Sequence, residues 1–174
     1  MTHVWSDLFF SLLVPLLFIM KEDPELDLSF AQVGFLSTVH TGASAVLQVP
    51  SGFLAERIGG FWLLLGGNLW AAAGLVAMAI ASSYPWLLGT ALLGGLGGGT
   101  QHPLASSLVS RIYDEQGRST ALGAVNFAGD LGKMVAPVVA LLVAPRYGWR
   151  ATMWVVGLAG MAFMMLAGVV RRGG

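Results

Sequence analysis

The sequence predicts an all-α protein, a polytopic membrane helix bundle with six transmembrane helices forming one domain over residues 1–174. Three observations carry that prediction. Only 10% of the residues are charged and 56% are hydrophobic, whereas a soluble domain carries roughly 25% charged residues, so the chain cannot cover its own surface with polar groups. Six mostly apolar stretches approach the ~20 residues that a helix needs to cross a bilayer. The connections between them are short, which sets successive helices antiparallel.

In chain order, the first span covers residues 4–20 and is interrupted by Asp7 and Pro15. The second covers 28–55. The third, 62–81, has no charge. The fourth, 86–110, contains the glycine run. The fifth, 119–143, carries Asp130 and Lys133, and the sixth covers 151–170. They are joined by "KEDPELD", "ERIGGF", "SSYP", "RIYDEQGR" and "PRYGW". The opening "MTHVWSDLFF" lacks the basic region and small-residue cleavage site of a removable signal peptide. Trp5, Trp62, Trp86 and Trp149 fall at span ends, as interfacial anchors do.

Charge sets the orientation. With the N-terminus inside, Arg57, Arg111, Arg118, Arg171 and Arg172 lie on the inner side, and Lys21, Arg146 and Arg150 on the outer side. Five against three places both termini in the cytoplasm under the positive-inside rule. A net charge of zero offers no basic patch for nucleic acid. The absence of cysteine excludes disulfides and thiolate metal sites. No metal and no cofactor is expected.

The run "GGLGGGTQHP", Gly94–Pro103, invites a phosphate-loop reading, but no lysine follows the glycines as a P-loop requires. Inside a span, a nucleotide loop would leave backbone groups unpaired in hydrocarbon. Gly94 with Gly98, and Gly95 with Gly99, instead form two overlapping G-x-x-x-G pairs. Such pairs let helix backbones approach closely in lipid. Pro103 lacks an N–H and so frees a carbonyl one turn earlier, near Gly99, where the helix can kink.

After the second span comes "GFLAERIGG", Gly52–Gly60. It resembles the loop motif of the major facilitator superfamily, roughly G-x-L-a-D-R-x-G-[RK]. Gly52, Leu54, Arg57 and Gly59 match, while Glu56 stands for the usual Asp and Gly60 for a basic residue. Gly52 would permit close helix contact, Arg57 would sit at the inner interface, and Gly59 would permit a tight turn. "GGLGGGTQHPLASSLVSR" and "LGAVNFAGDLGKMVAPVVALLVAPRYGWRATMWV" are similar to helices four to six of the fosmidomycin-resistance-type efflux branch. "PSGFLAERIGGFW" and "PVVALLVAPRYGW" echo each other, as the 3+3 inverted repeats of such a half would. The resemblance implies an N-terminal six-helix half in a bacterial inner membrane. It implies proton-coupled efflux of a drug or small organic anion. Its partners would be that substrate, protons, the lipid bilayer and a second six-helix half, supplied by a homodimer or a separate C-terminal-half protein.

Ionisable groups at membrane depth are costly and are functional candidates. Asp130 and Lys133 stand i,i+3 and face each other; they read either as a substrate or proton site, or as an ion pair that stabilises a helix interface. Asn126, four residues before Asp130, shares its face. Gln101 and His102 either bind a polar substrate or carry a proton, or else cap the proline kink. Asp7, one turn from His3, is either a cavity carboxylate or a wetted helix end. His40 and Gln48 read as interhelical hydrogen bonders.

Two other classes stand beside a transporter half. An intramembrane protease needs a G-x-S-x-G nucleophile, and neither "GASA" nor "LASSL" supplies one, so no enzymatic activity is expected. A membrane-embedded subunit or truncated fragment without transport remains the alternative to a transporter half.

Overall fold

A computed structural model of the chain describes residues 2–173, apart from the side chain of His102. Among the described residues every regular element is an α-helix. They are α1 (Thr2–Lys21), α2 (Phe30–Ile58), α3 (Gly60–Ala79), α4 (Tyr84–Gly98), α5 (Gln101–Ile112) and α6 (Glu115–Gly173). Three of them, α1, α3 and α6, are long and apolar enough to cross a membrane.

The helix ends follow local chemistry. Ser29 caps α2: its hydroxyl accepts from the Gln32 N–H at 3.2 Å, and the Gln32 side chain accepts from the Ser29 N–H at 2.8 Å. This reciprocal box satisfies two donors that would otherwise be orphaned. Gly59 ends α2 and opens α3 with φ of 91°, a conformation that L side chains rarely adopt. Asp114 opens α6 by accepting from the Gly117 N–H at 2.9 Å.

The stretch read as one fourth span is two helices. At Gly99 the bond pattern tightens, its N–H reaching Leu96 O at 3.3 Å. Gly99 and Thr100 then separate α4 from α5. Glycines with low helix propensity and Pro103, which cannot donate to Gly99, weaken the ladder at one point. The stretches read as fifth and sixth spans run through a single-residue corner at Gly148, with φ of 83° and ψ of 161°. We call residues 115–147 the first arm of α6 and 149–173 the second.

α1 is the central element. Leu8, Phe9, Leu12, Leu13, Leu16, Leu17 and Met20 are buried along it, and its principal neighbour is α6. Gly129, Gly132, Ala136, Ala140 and Ala144 form the buried line of the first arm. At Gly132 an added Cβ would run into the backbone carbonyl of Val4. These small residues bring the backbones of α1 and α6 into contact, and they place side chains from both at one depth.

α4 and its C-cap Gly99 use glycines on three neighbours. An added Cβ at Gly95 would strike the His40 carbonyl and at Gly99 the Ser44 carbonyl, both on α2. At Gly97 it would lie 2.6 Å from Gly67 O on α3, and at Gly94 it would lie 3.1 Å from the Gly74 Cα on α3. At Gly98 it would lie 3.3 Å from the Phe10 ring of α1.

Candidate polar site between α1 and the first arm of α6

The close approach of α1 and α6 brings four ionisable side chains together. Asp7 on α1 is 4% exposed. Its Oδ2 lies 3.6 Å from Lys133 Nζ and 3.8 Å from His3 Nε2. Lys133 also donates to Asp130 Oδ1 at 3.0 Å. Gly129 lies beneath the group, where a Cβ would collide with Asp7 Oδ2 and come within 2.8 Å of His3 Nε2. The site therefore depends on a missing side chain as well as on those present.

Burial grades across the cluster. The side chain of Asp7 is 5% exposed, that of Lys133 48% and that of Asp130 63%. One ammonium bridges a buried carboxylate and an open one. Asn126, also exposed, lies one helical turn from Asp130. Chemically, such an arrangement can exchange one carboxylate partner of Lys133 for a ligand, or accept a proton on a carboxylate as the ammonium shifts to the other.

The remaining sequence candidates lie elsewhere. Gln101 is 1% exposed and its amide donates to Leu64 O of α3 at 3.2 Å. That bond ties α5 to α3 across the break in the fourth span. The His102 side chain lies outside the described residues; its backbone belongs to α5. His40 is buried, with Nδ1 3.1 Å from Ala91 O of α4. Gln48 is exposed.

The loop motif sits at the far end of α2. Gly52, Glu56 and Gly60 line a cleft of about 310 Å³ together with Arg111 of α5. Leu54 and Arg57 are exposed. Arg111 is the cation that lines this cleft with Glu56. At Gly52 the structure differs from the expectation of close contact, because an added Cβ would meet nothing within 4 Å. The glycine faces the open cleft, while the tight turn falls at Gly59.

A second polar cluster was not read from the sequence as a unit. Trp149, just past the Gly148 corner, is 3% exposed and donates to Asp23 Oδ2 at 2.7 Å. It is a buried tie, not the interfacial anchor expected from its place at a span end. Arg150 pairs with Glu25 at 3.2 Å and Asp23 at 3.7 Å. It also donates to the carbonyls of Ala79 and Ala81 at the end of α3. The signal for it in the sequence was an acidic loop, "KEDPELD", facing "GWR" at the same end of the helices.

Comparison with known proteins identifies the family and the fold. The chain is 28% identical to the fosmidomycin resistance protein of Escherichia coli strain K12 over 171 residues, covering 98% of this chain and 41% of that protein. It is 31% identical to a probable 4-methylmuconolactone transporter of Cupriavidus pinatubonensis over 73% of this chain and 31% of that protein. Its fold superposes on a crystal structure of the peptide transporter POT with a TM-score of 0.83 at 22% identity, over 99% of this chain and 37% of that one. The chain spans about two fifths or less of the length of these proteins. The Major Facilitator Superfamily model matches residues 2–173, and the chain belongs to that superfamily.

Proposed function

We propose that this chain is the N-terminal six-helix half of a proton-coupled secondary transporter that exports a drug or small organic anion. In this reading all six sequence spans cross a bacterial inner membrane as a 3+3 inverted repeat, with both termini cytoplasmic. The Asp7–Lys133–Asp130 cluster is its working site, with Asn126 beside it and His102 as a further proton candidate. The observation that carries the reading is the graded cluster itself. A carboxylate buried between two helices shares one ammonium with a carboxylate on the open face. Charges at membrane depth are expensive, and they mark ion and substrate pathways. The similarity to a fosmidomycin resistance protein supports a drug among the substrates. Lys133 supplies the cation that a small organic anion would meet.

The test is uptake into proteoliposomes with and without a pH gradient, against a panel of small anions and drugs, with the chain joined to a C-terminal six-helix half. Gradient-driven accumulation is expected for the parent. Asp7→Asn and Asp130→Asn are each expected to abolish it while leaving substrate exchange. Full pH-driven accumulation in both variants would exclude the cluster as the coupling site. No flux for any substrate would favour a subunit or fragment without transport.

A further inference from the structure

α3 and the second arm of α6 leave a groove between them. Its volume is about 400 Å³, inside the range of roughly 300–1,000 Å³ typical of ligand pockets. The walls are apolar, with Leu69 and Met165 among them; Gly66 and Gly168 lie on the α3 and α6 sides, and Leu65 Cδ2 lies 3.0 Å from where a Cβ of Gly168 would be. An added Cβ at Gly66 would meet nothing within 4 Å, so this glycine opens onto empty space.

The groove ends at a cation. Arg172 is the one charged residue lining it. Its guanidinium lies 5.2 Å from the Trp62 ring centre, and the neighbouring Arg171 lies 5.7 Å from that of Phe61. Stacking on an aromatic uses the face of a guanidinium and leaves its edge N–H donors free. Two such forks beside one apolar groove match a phosphodiester above an acyl chain. Phe61 and Trp62 begin α3 and the arginines end α6, so this mouth sits where a span meets the membrane surface.

We propose that this groove is a binding site for an anionic phospholipid, with the acyl chain along Gly66 and Gly168 and the phosphate on Arg171 and Arg172. The proposal rests on the reading of the chain as membrane-embedded. Basic pockets between transmembrane helices are established hosts for anionic headgroups. Charge complementarity selects the lipid: a zwitterionic headgroup brings its own cation to a mouth that already holds two.

The test is thermal unfolding of the purified full chain in detergent, with added phosphatidylglycerol or phosphatidylcholine, together with native mass spectrometry of retained lipid. A ligand at about 100 times its Kd raises Tm by roughly 5–10 °C for a chain of this size. That shift is expected with phosphatidylglycerol and not with phosphatidylcholine. The Arg171→Ala, Arg172→Ala double variant and Gly66→Leu are each expected to lose both the shift and the retained lipid. Arg146→Ala, at the opposite end, is expected to keep them. Equal shifts from both lipids, or a full phosphatidylglycerol shift in both groove variants, would overturn the site. Loss in the arginine variant alone, with Gly66→Leu unaffected, would overturn the groove in favour of simple surface attraction. Recovery of the chain outside the membrane fraction would instead defeat the membrane reading on which the proposal rests.

Discussion

Trp149 carries more than its place in the sequence suggests. Its indole N–H donates to a carboxylate that the chain supplies more than a hundred residues earlier, and a hydrogen bond to a charged group contributes about 1.5–3 kcal/mol. Trp149→Phe keeps most of the ring and removes only that donor. A loss of roughly 1–3 kcal/mol is expected, read as a lower melting midpoint, and an unchanged midpoint would show that Asp23 finds an equal partner. Arg57 makes the opposite case. It is exposed at the end of α2, so Arg57→Ala is expected to leave expression and melting unchanged and to slow transport in a full-length context. Normal transport in that variant would remove Arg57 from the mechanism. Residue-scale reading of the sequence found Asp7, Asp130 and Lys133 because charge in an apolar run is conspicuous. It gave no sign that Asp7 and Lys133 meet, because that depends on Gly129 letting α1 settle onto α6.

For the helices, the glycines decide the distances. Two glycines of the same helix, α4, predict opposite outcomes. Gly89 is exposed and a Cβ there meets nothing within 4 Å, so Gly89→Ala is expected to be neutral or to add up to about 1 kcal/mol of helix propensity. Gly95 faces the backbone carbonyl of His40, with the Ala43 Cβ at 3.0 Å, and backbone cannot rotate away as a side chain can. Gly95→Ala is expected to cost about 1–3 kcal/mol through overpacking. Equal melting points for the two variants would contradict close packing of α2 and α4. The break between α4 and α5 was legible as a proline kink near Gly99, because the missing donor of Pro103 is a property of the sequence. The full separation was not, since it also uses the tightened turn at Leu96–Gly99 and the Gln101 bond to α3. In the sequence the helix corner at Gly148 looks like the five-residue connection "PRYGW". Helical geometry in fact continues up to Tyr147 and resumes at Trp149, because one glycine in a conformation closed to other residues turns the chain in a single step.

As a whole molecule, the bundle presents an uneven surface. Phe127, Met134, Val138 and Leu141 are exposed on the first arm of α6, beside the open carboxylate of Asp130. Lipid alone suits the apolar members of this surface and not the charged one. Substrate transport by a strictly monomeric preparation is therefore not expected, because a midplane site between two halves would have only one wall. Cross-linking in native membranes is expected to trap a partner against the first arm, and accumulation by monodisperse single chains would refute this. Composition and the loop motif made the helical class and the superfamily legible. The surfaces left for a partner were not, because an apolar residue facing lipid and one facing a second bundle obey the same pattern.

The Arg150 contacts have a mechanical consequence. One guanidinium joins the loop after α1, the end of α3 and the start of the second arm of α6, and Trp149 adds a second strut to that loop. Helix ends braced in this way form a truss, and a truss transmits torque without splaying. Any motion that widens this rim must then carry the three braced ends together.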